Sequence, residues 1–336
     1  MRKIASLLIF CMIIISCEKD SLESMPEKQT TFDNQDIIGP ENKASSGRTF
    51  TDATGTIEIY IGSTQVFHNG NPNLVSGNAY VPNGFVCIGG GARINIPYAY
   101  PPYSSDPGSL LTMSAPLNNG LFNGWQAEAK AHSRPNGNPW SLLVDVVGMR
   151  LKDNNGNYIP AQDLKNSLRL FSRTSARAGH PSTSVAVSNG YQLIGGGAKV
   201  NWSGYGNLLT ESYPLGNSWK VKSKDHLVVS PATITAYAIG IKNTIPNFGS
   251  FKIDQVADCK TPNYYASIYS RDAFFERSEG YLTTCAGGKT TYNGNGRMLV
   301  GLSSFQRDGS FVESKDHLST DTGTICAYAV GIKKIL

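Results

Sequence analysis

The sequence lacks a sustained 3.6-residue apolar period between residue 50 and its C-terminal end, so amphipathic helices are not expected there. Short alternating segments fill this region instead, and they are separated by turns of Gly, Asn and Pro. The fold is therefore predicted to be all-β and antiparallel.

Three further absences exclude classes of function. The sequence has no basic run, and its 30 Lys and Arg residues are nearly balanced by 25 Asp and Glu residues, which argues against nucleic acid as a partner. No helix start follows the glycine runs at residues 89–91 and 195–197, so a nucleotide site is not indicated. Only Asp225 and Asp316 recur at matched positions among the acidic residues, and strand alternation places both on the inner face. A glycosidase carboxylate pair is therefore not indicated.

The N-terminal residues are typical of an export signal and a tether. Residues 1–16 combine a basic start at Arg2 and Lys3 with a short apolar run, which predicts a signal peptide. The tetrapeptide that ends at Cys17 resembles the lipobox of bacterial lipoproteins, in which the Cys is lipidated. Residues 17–50 are polar and poor in apolar side chains, so we expect a flexible tether.

Three internal repeats follow the tether. The segment GYQLIGGGAKVNW from Gly190 matches GFVCIGGGARINI from Gly84 and, less closely, GYLTTCAGGKTTY from Gly280. Each is followed by a segment similar to LLTESYP, by a strand with a Lys-x-His motif and by a segment similar to AYAIGIK. This order predicts three β repeats, near residues 54–152, 165–243 and 251–334, arranged either around a pseudo-threefold axis, as in a β-prism, or as tandem sandwiches.

The Lys-x-His strands are predicted to carry binding residues on an exposed face. In WKVKSKDHLVV, alternation places Trp219 and Val221 in the core, and it places Lys220 and Lys222 outside with the Lys-x-His pair. The motif residues of the three repeats are Lys130, His132, Lys224, His226, Lys315 and His317. A further cation follows each glycine run, at Arg93, Lys199 and Lys289. Such groups donate charge-assisted hydrogen bonds to carboxylate or sulfate.

Other interpretations of these residues stay open. The motif is also compatible with a solvated strand face whose charges prevent aggregation. A threefold axis would bring His132, His226 and His317 together in a zinc site, but a neighbouring ammonium group disfavours a metal cation. No metal and no cofactor is therefore predicted. The aromatic residues after the glycine runs would either stack on sugar rings or pack within the sheets; they are Tyr98, Tyr100, Tyr103, Trp202 and Tyr205.

Four cysteines remain beyond Cys17, and an even number in an exported protein suggests two disulfides. Cys285 and Cys326 are predicted to pair and to brace the third repeat, which lacks the Trp of the other two. Cys87 and Cys259 would then pair with each other or remain free.

The pattern IGGGA, LLTxSxP, KDH and AYAIG resembles repeats of secreted bacterial proteins. The lipobox, followed by Glu18 and Asp20, resembles that of outer-membrane surface lipoproteins in glycan-utilisation systems. The resemblance implies a lipid-anchored, cell-surface protein of a glycan-utilisation system. The repeated Lys, Arg and His residues favour an acidic polysaccharide or oligosaccharide as its partner. The expected function is binding of an acidic or sulfated polysaccharide at up to three sites. The alternative is a lyase or dehydratase that eliminates from a uronic-acid sugar, with His132, His226, His317 or Tyr205 as the catalytic candidates.

Overall fold

The computed structural model describes residues 47–67, 74–95, 109–132, 141–261, 268–304, 306–319 and 321–335. The predicted signal peptide, Cys17 and most of the tether lie outside these residues. Nearly all regular structure in the described part is β-strand, and the helical exceptions are the five-residue helix α1 (Ala161–Lys165) and a 3-10 turn at Arg277–Glu279. The all-β prediction is confirmed.

The strands divide among the three repeats. The first repeat and the residues just before it contain β1 (Arg48–Thr51), β2 (Ile57–Phe67), β3 (Leu74–Tyr80), β4 (Val86–Asn95), β5 (Ser109–Pro116), β6 (Gly124–Ala131) and β7 (Ser141–Leu151). The second contains β8 (Leu168–Thr174), β9 (Ser182–Ala186), β10 (Tyr191–Asn201), β11 (Leu208–Leu215), β12 (Ser218–Lys224) and β13 (Thr233–Lys242). The third contains β14 (Phe251–Lys260), β15 (Ile268–Phe274), β16 (Leu282–Thr290), β17 (Met298–Ser303), β18 (Gly309–Lys315) and β19 (Ile325–Lys334).

Three antiparallel sheets form from these strands, and each sheet combines two repeats. The first sheet has the order β1-β2-β7-β4-β17-β18-β15, the second β3-β6-β5-β10-β13-β8 and the third β14-β19-β16-β11-β12-β9. The first repeat thus contributes to sheets one and two, the second to sheets two and three, and the third to sheets three and one. This cyclic exchange is a pseudo-threefold arrangement, and it does not occur in tandem sandwiches.

The glycine runs form bulged strands rather than phosphate-binding loops. The pairing register shifts at the same place in each repeat, between Cys87 and Gly89, between Leu193 and Gly195, and between Thr283 and Cys285. A bulge inserts one extra residue and increases local twist. Gly195 also permits a close approach between repeats, because a Cβ there would lie 2.1 Å from the carbonyl oxygen of Ile88.

The turn before each bulged strand requires glycine. Gly84, Gly190 and Gly280 have φ angles of 87°, 87° and 75°, a region that other L residues rarely adopt. The same left-handed turn therefore precedes the bulged strand in all three repeats.

The core follows the predicted alternation on the Trp strands. Trp125 and Trp219 are fully buried, together with the small residues that alternate with polar ones along β6. The indole nitrogen of Trp219 donates to Ser212 Oγ at 3.0 Å, and that of Trp125 donates to Ser114 Oγ at the same distance. These inner faces belong to one core cluster that extends through all three repeats.

The predicted disulfide is wrong. Cys326 pairs instead with Cys259, directly opposite on the neighbouring strand, and Cys87 and Cys285 are buried free thiols. Cys326 lies opposite Lys289 on β16, four residues from Cys285, which is about 13 Å along a strand. A disulfide requires Cα atoms within about 7 Å, so Cys285 cannot reach Cys326.

Candidate functional site

Three histidines from the three repeats meet at one place. The histidines occupy equivalent positions just after β6, β12 and β18: they are His132, His226 and His317. The ring centroid of His132 lies 5.1 Å from that of His226 and 5.3 Å from that of His317, and the last two lie 5.4 Å apart. All three side chains are at most 1% exposed. One ring nitrogen of each lies within 4.8 Å of the other two. We call these residues the axial triad.

Backbone carbonyl groups orient the triad rings. Nε2 of His317 donates to the carbonyl oxygen of His132 at 3.1 Å, and Nδ1 of His226 donates to that of Asn295 at 2.7 Å. Each of these two imidazoles therefore carries its proton on the bonded nitrogen and has a lone pair on the other. Those other atoms, Nε2 of His226 and Nδ1 of His317, are buried and have no partner with hydrogen-bonding geometry among the described residues.

Tight turns fix the histidines of the second and third repeats. The next residues, Leu227 and Leu318, adopt φ angles of 61° and 56°, a conformation that costs non-glycine residues free energy. The preceding acid stabilises each turn: Asp225 Oδ2 accepts from the Ser230 amide at 3.2 Å, and Asp316 Oδ2 accepts from the Asp321 amide at 3.1 Å.

Two motif lysines, Lys130 and Lys224, donate hydrogen bonds to a loop of the next repeat. Lys130 Nζ donates to the carbonyl oxygens of Gly204 and Tyr205 in the second repeat. In the third repeat, Lys224 Nζ donates to those of Asn295 and Gly296, at 2.6 and 2.7 Å.

An aromatic ring covers each of these two ammonium groups. Lys130 Nζ lies 4.1 Å from the ring centroid of Trp202, and Lys224 Nζ lies 3.8 Å from that of Tyr292. Such cation–π contacts add to the carbonyl hydrogen bonds, so these two lysines hold neighbouring repeats together.

The predicted exposure of the Lys-x-His motif is therefore wrong. Lys130, Lys224 and Lys315 are 4%, 1% and 1% exposed, and the histidines are equally buried. Alternation correctly separates Trp125 and Ala127 from Gln126 and Glu128, but the end of each strand is covered on both faces by residues from another repeat. Loops that lie about 70 residues away in the sequence provide this cover for Lys130 and Lys224.

Burial controls the protonation of the triad. It lowers the pKa of His132 to about 4, with further lowering by His226 and Lys130. It lowers the pKa of His317 to about 3, assisted by the charge of Lys315. Burial also lowers the pKa of His226, against the opposing effect of the Asn295 and His317 carbonyl oxygens. The three imidazoles are neutral at pH 7.

Burial also lowers the pKa of two motif lysines. The pKa values of Lys130 and Lys224 fall to about 8, while the charges of Glu128 and of Asp321 oppose the shift at Lys130 and Lys224 respectively. Both ammonium groups remain mostly protonated at pH 7, and their hydrogen bonds go to backbone carbonyl oxygens.

The second set of predicted cations lies where two repeats join. Arg93, Lys199 and Lys289 occupy equivalent register positions, each paired across a boundary between repeats. All three side chains are partly exposed on the outer faces of the three sheets. Arg93 forms an ion pair with Glu313, with Nε and Oε2 3.4 Å apart.

The outer face of the third sheet collects additional groups around Lys289. The pairing aligns Lys289, Glu211 and Lys222 in one row across three strands, and Lys220 lies beside Tyr213 in the next row on the same face. Tyr213 and Tyr328 stack with centroids 4.7 Å apart. The lysines are half-buried, and Lys220 contacts Glu211 with Nζ and Oε2 3.7 Å apart.

We call this set the third-sheet patch: Lys220, Lys222, Lys289, Glu211, Tyr213 and Tyr328. Alternation predicts that Lys220 and Lys222 face outward. The sequence does not predict the two tyrosines as site residues, because only strand pairing brings β11 and β19 to either side of β16.

The predicted sugar-stacking aromatics have different environments. The ring of Trp202 contacts Lys130, and its indole nitrogen donates to Glu128 Oε1 at 2.7 Å. Tyr205 is 55% exposed and supplies only its carbonyl oxygen to Lys130. Tyr98, Tyr100 and Tyr103 lie outside the described residues.

No protein-family model matches this chain, and no curated protein matches it. Among the described residues, no helix has the length and apolar character needed to cross a membrane.

Proposed function

We propose that this chain is a surface-anchored protein that binds an acidic or sulfated polysaccharide through the third-sheet patch. The observation that carries the proposal is the grouping of three lysines on one outer face, where Lys220 and Lys289 lie near the ring of Tyr213 and Lys222 shares the row of Lys289. Lys222 Nζ lies 5.2 Å from the ring centroid of Tyr292. The proposed anchor rests on the sequence around Cys17.

The charge of the patch favours an anionic ligand. Among the described residues, the carboxylate in the patch is Glu211, and its ion-pair contact there is with Lys220. Lys289 and Lys220 lie 5.8 and 5.9 Å from the ring centroid of Tyr213. The three ammonium groups suit a sugar that carries carboxylate or sulfate groups. The ring of Tyr213 is buried beneath Lys220 and Lys289 and positions them by cation–π contact.

The equivalent places on the other sheets are less suited to this role. On the first sheet Arg93 is neutralised by Glu313. On the second, Lys199 is paired with Met113 instead of an acid, and Glu128 occupies the place of Lys222. Binding is therefore expected on the outer face of the third sheet rather than equally on all three sheets.

The test is affinity electrophoresis of the purified protein through gels that contain alginate, chondroitin sulfate or neutral dextran. Each single replacement of Lys220, Lys222 or Lys289 by Ala should weaken retardation by an acidic polysaccharide, by about twofold to fivefold, the range expected for one exposed charge contact. Added salt should weaken it too, because such charges are screened over ~8 Å at physiological ionic strength.

The matched control is Lys199→Ala, at the same register position on the second sheet. It should leave retardation unchanged. Binding that survives the triple replacement Lys220→Ala, Lys222→Ala and Lys289→Ala would contradict the proposal, as would an equal loss in the control. Formation of unsaturated uronates in the same incubation, seen by ultraviolet absorbance, would instead support an elimination reaction.

A further inference from the structure

The axial triad has the donor set of a transition-metal centre. It offers three imidazole nitrogens that lie within 4.8 Å of one another. Three histidines plus one open position are a common arrangement for catalytic zinc, and imidazole also suits copper, nickel and iron.

The outer hydrogen bonds of the triad match those of metal-ligating histidines. A ligating imidazole commonly donates its other N–H to a carbonyl or a carboxylate, which fixes the tautomer and the ring orientation. His226 and His317 each donate one N–H to a backbone carbonyl oxygen. Their remaining nitrogens are left as acceptors.

Those remaining nitrogens make no hydrogen bond of accepted geometry within the described part of the chain. Nε2 of His226 and Nδ1 of His317 are buried without a hydrogen bond in the described residues. Buried polar atoms are normally paired, because an unpaired one loses its hydration without compensation. A bound metal ion would supply the missing partner for both.

The geometry requires only a small contraction. Zinc–nitrogen distances of about 2.0–2.1 Å place tetrahedral ligand atoms about 3.4 Å apart. The triad nitrogens are at most 4.8 Å apart, so each imidazole needs to shift by roughly 1 Å to reach this separation. The triad contains no carboxylate, so the fourth position is left for water or a small anion.

We propose that the axial triad binds one divalent transition-metal ion of the zinc class per chain and thereby ties the three repeats together. Each ligand comes from a different repeat, separated by 94 residues between His132 and His226 and by 91 between His226 and His317. The ion would join segments that are far apart in the unfolded chain, and it would stabilise the folded state by mass action. This proposal is independent of polysaccharide binding.

The test uses the whole protein, purified without a polyhistidine tag and dialysed against a chelator. Zn²⁺ is then added in two ways, by long incubation with the folded protein and by refolding from urea in its presence, because the triad is buried. After gel filtration, elemental analysis should give about one zinc per chain. The melting temperature should rise with the concentration of free Zn²⁺, whereas Mg²⁺ should have no such effect, since it prefers oxygen ligands.

Cobalt provides a spectroscopic measurement that does not depend on a variant. Co²⁺ in the triad should give the intense visible absorption of a four-coordinate ion, and excess Zn²⁺ should abolish it. The variant His317→Gln should lower the metal content at least tenfold. The matched control is His180→Gln, since His180 is exposed and lies outside the triad; it should retain one ion per chain.

Two results would overturn the proposal. One is the absence of bound metal in the wild type after both loading procedures. The other is metal retention that His317→Gln does not reduce, or that His180→Gln reduces equally. If His317→Gln fails to fold, the cobalt spectrum and the zinc-dependent melting of the wild type decide the matter.

Discussion

The second and third repeats fill the same core position with different side chains. In the second, the ring of Trp219 covers the backbone of Gly196, where a Cβ would lie 2.3 Å from the indole. The indole N–H then requires an acceptor, which Ser212 supplies. The Trp219 ring therefore requires both the glycine at position 196, which leaves room for it, and the Ser212 hydroxyl, which accepts its N–H.

The third repeat has changed all three positions. Its equivalents are Ala286, Ser310 and Leu302, and all are buried. With the large ring replaced by serine, a Cβ fits at Ala286. With no indole N–H to satisfy, the acceptor is replaced by the apolar Leu302. The loss of Trp in this repeat is thus compensated locally by volume and polarity, not by a disulfide to Cys285.

The strand pairs at the edges of these repeats differ as well. The Cys259–Cys326 disulfide joins β14 to β19, and the equivalent residues of the second repeat, Thr174 and Thr235, form a hydrogen bond of 2.9 Å between their hydroxyls. The same cross-strand position is therefore covalent in one repeat and polar in the other.

Removing the large ring should have the greatest effect. Trp219→Ala should lower the free energy of unfolding by about 3 to 5 kcal/mol, because it leaves a large cavity in the core. Ser310→Ala, at the same position of the third repeat, should cost only about 1 kcal/mol, since it removes one hydrogen bond to the Tyr328 carbonyl. Urea unfolding measures both, and similar losses would contradict the comparison.

Breaking the covalent strand pair should rank second. Replacing Cys259 and Cys326 together by Thr copies the second repeat and should cost about 2 to 4 kcal/mol, since the disulfide restricts the unfolded chain. A reducing agent should destabilise the wild type but not this variant. Peptide mapping without reduction should recover the Cys259–Cys326 pair; a link to Cys285 would refute the assignment.

Placing the alanine of the third repeat into the second tests the compensation. Gly196→Ala should cost about 1 to 3 kcal/mol, because the new Cβ overlaps the Trp219 ring. The same change should cost clearly less in a Trp219→Ser background. A double-mutant cycle measures this coupling, and additive losses would show that the two positions are independent.

The smallest effect concerns the axial triad, where the three repeats remain alike. Folding lowers the pKa of His317 from its ordinary value of about 6.5 to about 3. The unfolded chain therefore binds a proton first as the pH falls, and stability is retained above pH 6.5 and lost below it. Between pH 7 and 5.5 this amounts to about 1 kcal/mol for one imidazole.

The measurement compares the wild type with His317→Gln by urea unfolding in the presence of a chelator. The wild type should lose about 1 kcal/mol more than the variant over this pH range. Contributions from Asp145 and Asp316, whose pKa values burial raises, cancel in the difference. Equal losses would show that His317 accepts a proton without unfolding.

Much of the fold was accessible from local sequence features. The three repeats and the burial of Trp219 follow from periodicity and turn residues, which act over a few positions. Two predictions were wrong: that the Lys-x-His motif is exposed, and that Cys285 pairs with Cys326. Both depend on which distant segment lies beside a given strand, and alternation contains no information about that.

The sequence by itself determined that the chain is all-β, that it is threefold repeated and that each repeat places a Lys-x-His motif at the end of a Trp-type strand. Only the tertiary structure decided that the repeats exchange strands, that Lys130 and Lys224 cap loops of their neighbours and that the three histidines meet. The physical reason is that strand alternation distinguishes two faces of one sheet, whereas burial at a strand end depends on a second repeat.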